Sequence, residues 1–245
     1  MKLTVVGSSS RGNCYILHND KEALIIEAGC AVSNVQKALG YNISKVAACI
    51  VSHEHKDHSE HISALQKYGI KCYMSEGTSK GVDKTLTAPN IIRHGEQFVA
   101  GAFTILPFST HHDCNEPLGF LISHEEIGTL LFAIDTCYLA YTFNGLTNIM
   151  IECNYSEDIL EENIKSGKIH PVVRKHVIKS HMSLQTCLQA LQANNLSKVN
   201  NIILMHLSKS NGDAKRFKNE VELATGKSVH IAEKNLTINI DKTPF

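Results

Sequence analysis

Between residues 51 and 61 the chain reads VSHEHKDHSEH, with four histidines, two glutamates and one aspartate directly after an apolar run. Imidazole mixed with carboxylate at this density suits zinc or manganese, whereas calcium takes oxygen ligands alone. His53 and His55 stand two apart, which leaves both on one side of an extended backbone. A turn after them lets Asp57 and His58 swing toward a second centre before Ser59 opens the next helix. The competing account is a solvated, helix-capping polar loop, and that account suits Glu54, Lys56 and Glu60.

Strand-like runs, rich in β-branched and apolar residues, carry this stretch. They lie at 2–7, 14–18, 23–28 and 46–52, then at 103–108, 119–123, 129–135, 148–153, 201–206 and 236–240. Helical patterns fall at 33–40, 60–69, 156–167, 183–195 and 213–226, several with serine or aspartate at the start and glycine near the end. No repeat, low-complexity tract or Pro/Gly linker interrupts them. The alternation predicts one α/β domain over residues 1–245, with helices outside and sheets within.

Twenty-four lysines and arginines balance 24 aspartates and glutamates, so the formal net charge is zero over 245 residues. A strong binder of long polyanions usually carries a basic excess. The eight cysteines include no C-x-x-C pair, and no apolar stretch approaches the length of a membrane span. With no secretory signal at MKLTVVGSSS, the expectation is a cytoplasmic protein with reduced thiols and no membrane association.

The H-x-H-x-D-H run resembles the signature of the metallo-β-lactamase-fold hydrolases, and three more stretches extend the likeness. THHD (110–113), AIDT (133–136) and LMHLS (204–208) each close a strand in the order those enzymes use. The resemblance implies an αββα sandwich holding two divalent ions, zinc first and manganese second. It implies His53, His55 and His112 on one ion, Asp57, His58 and His206 on the other, and Asp135 bridging. His112 is preferred to its neighbour His111 because relatives read His-Asp here. His111 is then expected beside the substrate.

IECNY (151–155) and KSHMSLQTCLQAL (179–191) resemble the ribonuclease Z-like branch, which implies a Glu152–His181 pair that protonates the leaving oxygen. Asp57 joins that pair as a catalytic group. GSSSRGNCYIL (7–17), EPLGFLI and HLSKSNGD resemble the YycJ/WalJ-like branch of DNA exonucleases, and the compact pattern is shared with phage anti-Pycsar cyclic-nucleotide phosphodiesterases. Glu27 stands where many relatives have aspartate, which questions the packing behind the ions.

The expectation is thus a two-metal phosphodiesterase acting on nucleotides, working as a homodimer. Neutral charge and a small scaffold favour a cyclic mononucleotide such as cyclic UMP or CMP. A YycJ-like DNA or RNA exonuclease is the alternative, followed by a thioester hydrolase or a non-catalytic metal-binding module. Tyr138 is a candidate for stacking a base, and Lys179, in the basic run 165–179, for meeting phosphate.

Overall fold

Successive residues of an extended chain face opposite ways, and the strands of this protein use both faces. The structure is a computed structural model describing residues 1–82 and 89–243. Its first part runs β1 (Lys2–Gly7), β2 (Cys14–His18), β3 (Ala23–Ile26), α1 (Val32–Ala38) and β4 (Val46–Ile50). Next come α2 (Lys56–Ser59), α3 (Ile62–Lys67), β5 (Cys72–Met74), α4 (Glu76–Gly81) and β6 (Asn90–Ile91). A run of strands follows: β7 (Phe98–Ala100), β8 (Phe103–Ser109), β9 (Leu118–His124), β10 (Gly128–Ala133) and β11 (Leu146–Glu152). The chain ends with α5 (Glu157–Lys165), α6 (Pro171–Ser180), α7 (Leu184–Gln192), β12 (Asn201–Met205), α8 (Ala214–Thr225), β13 (Ser228–Ile231) and β14 (Thr237–Asn239).

Among the described residues these strands form two seven-stranded sheets, β14-β1-β2-β3-β4-β5-β6 and β13-β12-β11-β10-β9-β8-β7. Strands β3 to β6 and β10 to β13 are parallel, and the hairpin strands are antiparallel. Leu3, Tyr15, Leu17 and Ile26 of the first sheet meet Phe103, Phe120, Ile122 and Phe132 of the second in one buried cluster. The rings of Tyr15 and Phe132 cross edge-on with centroids 5.7 Å apart. Such a pair contributes about 0.5–1.5 kcal/mol beyond area burial.

The outer faces are covered as well. Ile16, Ile25 and Cys49 pack against Val35 of α1 and Leu65 of α3. Ile149, Ile151 and Leu204 pack against Leu191 of α7 and Phe217 of α8. Strands buried on both sides read as continuous apolar runs, which is why they stand out in the sequence. The result is the expected αββα sandwich, with the carboxyl ends of β3, β4, β10, β11 and β12 at one edge.

Three strands stop earlier than their apolar runs suggest. Glu27, Asp135 and His206 have φ of 69°, 45° and 54°; β3 and β12 end just before Glu27 and His206, and β10 ends at Ala133, two residues before Asp135. A left-handed backbone at non-glycine residues costs free energy and is typical of functional edges. Ser59 does not open a helix: α2 already begins at Lys56, so Asp57 and His58 sit in its single turn, with His55 at the N-cap. Ser183 and Asp213 cap their helices through their side chains, whereas Ser156 occupies an N-cap position without doing so.

Candidate metal centre

The loop after β4 brings in the first four side chains. His53 is buried, and its Nδ1 lies 2.8 Å from Ser52 Oγ, which turns Nε2 toward Asp135 Oδ2 at 3.6 Å. Asp57 is tied to the loop between β1 and β2: Asn13 N donates to its carbonyl at 2.7 Å and Asn13 Nδ2 to its Oδ2 at 3.1 Å. Gly29 allows this approach, since a Cβ there would stand 1.7 Å from Asp57 O. His58 is fully buried, with Nδ1 3.3 Å from Glu27 Oε2 and Nε2 3.1 Å from Asp135 Oδ2. Glu27 is itself braced by Ser52 N at 3.3 Å, so the longer side chain reaches the back of His58 directly.

Three later loops complete the edge. After β8, His112 donates Nδ1–H to Ser180 O at 2.9 Å, leaving Nε2 at 3.1 Å from His55 Nδ1. After β10, Asp135 lies at the centre. After β12, His206 Nδ1 is 2.9 Å from Asp135 Oδ1, and its Nε2 is 3.8 Å from Asp57 Oδ2. The potential donor atoms of His53, His55, His112 and Asp135 lie within 4.8 Å of one another, and so do those of Asp57, His58, Asp135 and His206. Both groups contain Asp135.

Buried polar atoms left without hydrogen-bond partners test whether cations suit this edge. His53 Nε2, His206 Nε2 and Asp135 Oδ1 are all of that kind; Asp135 Oδ1 approaches His206 without the alignment of a hydrogen bond. Such atoms are costly unless something binds them. Burial, with His58 beside it, pushes His53 well below the usual imidazole range. Burial is the largest influence and opposes charge on His58 and His206, but the surrounding carboxylates, Asp135 foremost, together outweigh it and raise both. The donor set of imidazoles and carboxylates fits zinc-type ions, and the rings of His53, His58 and His112 are oriented through their other nitrogens by Ser52, Glu27 and Ser180.

Beside these groups stands a second, differently built pair. Glu152 ends β11 and is fully buried, not an exposed charge at the start of the following helix. Its Oε2 accepts Thr136 N at 3.0 Å and Met182 N at 3.1 Å, and its Oε1 lies 2.7 Å from His181 Nδ1. Burial opposes ionisation of Glu152, yet His181 holds its carboxyl below the ordinary range. Glu152 and His181 also lie within 4.8 Å of Asp135 and His206. A cavity of about 630 Å³ opens here, with His181, His206, Arg11, Lys168 and Lys209 on its walls.

The remaining predicted contacts fall outside this cluster. His111 is exposed and stacks on Tyr138, ring centroids 4.2 Å apart, with Tyr138 43% exposed. Lys179 is exposed in the last turn of α6 and is not on the cavity wall, because the turn of that helix which meets the cavity presents Val173 and Val177. Of the basic run, only Lys168 reaches the cavity, and Arg174 is engaged by Glu161. Asn13, Ser52, Arg11 and Lys209 were not predicted from sequence as functional. Asn13 had a signal, the tight GSSSRGN turn between two strands.

Two mixed sheets with histidines and carboxylates gathered at one edge define the class: a metal-dependent hydrolase of the metallo-β-lactamase fold, whose His/Asp cluster is able to bind metal ions. Residues 9–72 match the model of the Metallo-beta-lactamase superfamily. The chain is 24% identical over 258 residues to Exodeoxyribonuclease WalJ of Streptococcus pneumoniae, covering 98% of this chain and 91% of that protein. It is 24% identical over 226 residues to Exodeoxyribonuclease YycJ of Bacillus anthracis, covering 86% and 84%. Among solved structures, the metallo-β-lactamase fold protein YhfI of Bacillus subtilis superposes with a TM-score of 0.72 at 20% identity, over 97% of this chain and 98% of that one. No helix among the described residues is long and apolar enough to cross a membrane.

Proposed function

We propose that this chain is a two-metal phosphodiesterase that hydrolyses nucleotide phosphodiester bonds. His53, His55 and His112 would hold the first ion and Asp57, His58 and His206 the second, with Asp135 common to both groups. The observation that carries this reading is the Glu152–His181 pair at 2.7 Å, standing beside two ligand groups that share one aspartate. Bound divalent ions, zinc foremost with manganese as the alternative, would supply Lewis-acid polarisation of the phosphodiester and activation of water.

The protein's own groups do the rest. Asp57, held by Asn13, orients the attacking water and receives its proton. His181 gives Nδ1–H to Glu152, so its Nε2–H is free to protonate the departing oxygen. The exposed ring of Tyr138, stacked on His111, is offered to a base. A thioester hydrolase would share the metal frame but give no task to Glu152 and His181. A non-catalytic module would have no use for a buried carboxylate aligned on a histidine. We assign the activity to the cytoplasm, in keeping with eight cysteines carried as thiols.

Two substrate sizes compete. Zero net charge favours a cyclic mononucleotide. A nucleic-acid strand is favoured by relatives named as exodeoxyribonucleases that align with 98% and 86% of the chain, and by Arg11, Lys168 and Lys209 on the cavity wall. The strand is the better supported of the two. Incubating metal-loaded protein with cyclic UMP, cyclic CMP and labelled single- and double-stranded DNA separates them. Cleavage of DNA with the cyclic nucleotides untouched is the expected result. Turnover of a thioester with every phosphodiester left intact would end the proposal.

A further inference from the structure

The cavity beside His181 does not end at the metal edge. A second cavity, of about 730 Å³, lies behind the loop between β1 and β2, and the two share Ser9, Arg11, Leu207, Ser208 and Lys209. Two loops build that common rim, and both are tied to the ligands. Ser8 Oγ accepts His206 N at 3.0 Å, Asn13 N donates to Asp57 O at 2.7 Å, and Ser208 N donates to Asn154 O at 2.8 Å. The rim is therefore held by the same contacts that hold the metal edge.

Its charge is patterned along this path. Lys168 lines the near cavity, Arg11 and Lys209 stand on the rim, and Lys234 lines the far cavity. Arg11, Lys209 and Lys234 are exposed, and among the described residues none of the four is engaged in an ion pair. Glu60 and Glu233 also line the far cavity, so its balance is three cations to two carboxylates. Val6, Leu207 and Ile231 add apolar wall between them. Each cavity falls within the roughly 300–1,000 Å³ typical of small-ligand sites.

Unpaired cations spaced along a groove that leads away from a cleaving edge suit a ligand with phosphates at regular intervals. A cyclic mononucleotide, with a single phosphate, has no use for cations spread over both cavities. We infer that the far cavity is a second nucleotide subsite, which takes the next nucleotides of a single strand whose scissile bond lies at the metal edge. Arg11 and Lys209 meet the phosphates in between, and Lys234 meets the one beyond. This rests on the phosphodiesterase reading above and extends it to the substrate's length.

The test compares KM for thymidine 5′-(p-nitrophenyl phosphate) with KM for oligothymidylates of two, three and five nucleotides, on the metal-loaded full chain. KM should fall at least about tenfold from the chromogenic ester to the pentamer. Lys234→Glu and the double variant Lys209→Glu/Lys234→Glu should each remove most of that gain. Each cation lost should also lower the slope of log KM against log salt by about 0.7, the single-strand value per phosphate contact. Anisotropy of a labelled pentathymidylate reads binding independently of turnover. A KM unaffected by length, or a length dependence that survives the double variant, overturns the subsite. Absence of any phosphodiester cleavage with length-dependent, Lys234-sensitive binding intact would instead remove the phosphodiesterase reading and leave the strand groove standing.

Discussion

Replacing His181 by alanine separates proton delivery from metal binding. His181 is the C-cap of α6, and its Nδ1 lies 2.7 Å from Glu152 Oε1. Glu152 cannot swing away, because two backbone N–H groups, of Thr136 and Met182, hold its other oxygen. Burial opposes charge on His181, yet the adjoining Glu152 carboxylate raises its pKa and favours the proton-bearing form. The ring is thus set to donate from Nε2. General-acid help of this kind is worth about 10²–10⁴-fold, or roughly 2.7–5.5 kcal/mol. The substitution leaves Glu152 Oε1 still 3.2 Å from His206 Nδ1, so the buried carboxylate keeps a partner and the ligand frame keeps its brace. His181→Ala should therefore retain its metal while kcat on a dinucleotide, whose leaving group is an alkoxide, falls at least about 10²-fold. On a nitrophenyl phosphodiester, whose leaving group departs without a proton, the loss should stay below about tenfold. Steady-state kinetics on both substrates with elemental analysis of the same sample makes the comparison. Glu152→Gln should show a weaker form of the same split. Equal losses on both substrates would make His181 a phosphate-binding or structural residue and remove its role as the acid.

Elemental analysis of protein purified without chelator should approach two metals per chain, about 3.5–4 Å apart if both share Asp135; Asp135→Ala should lower occupancy and rate together, and an active protein with no metal would end the scheme. Sedimentation at micromolar concentration should give about twice 27.0 kDa, since a second subunit would wall the open metal edge; a fully active monomer refutes the dimer. Phe132→Ala should cost about 3–5 kcal/mol in urea unfolding, as it empties a fully buried site against Tyr15. Burial, with Lys45 and Lys2 nearby, lowers His18 to about 4, below its unfolded value near 6.5, so stability should fall as pH drops from 6.5 through 4. With solvent screening of this half-buried ring the share is about 1–2 kcal/mol, and His18→Gln, which can keep the bond to Thr4, should show that much less acid loss than the parent.

Much of the metal edge was legible because its chemistry is written locally. His53, His55, Asp57 and His58 fall within six positions, and His112, Asp135 and His206 each follow an apolar run that had to be a strand. Strands buried on both faces announce themselves by composition, so most of the two sheets could be read directly. Helix α6 could not. PVVRKHVIKS buries only Val177 and Ser180, so it shows no apolar stripe, and its basic residues suggested a phosphate-binding surface that its orientation does not provide. The short strands β5, β6, β7 and β13 carry two to four residues each, too few for any period to emerge.

The supports of the site were hidden for a different reason: they are made between residues far apart in the chain. Asn13 reaches Asp57 across 44 positions, and Ser8 reaches His206 across 198. No local pattern encodes either contact. The strand ends join the two levels. Glu27, Asp135 and His206 were each read inside the last two positions of their strands, yet each takes a left-handed backbone, and the strands end one or two residues short of the predicted limits. That break matters chemically, because in a continuing strand Asp135 would alternate into or out of the sheet and could not lie at the centre of both ligand groups. It costs conformational free energy at three positions, and the tethers from Asn13, Ser52 and Ser8 are what hold the edge in place against that cost. Two residues of the cluster, Asp135 and His206, and the brace Glu27 thus depart from local backbone preference, and the contacts that support the edge come from residues distant in sequence.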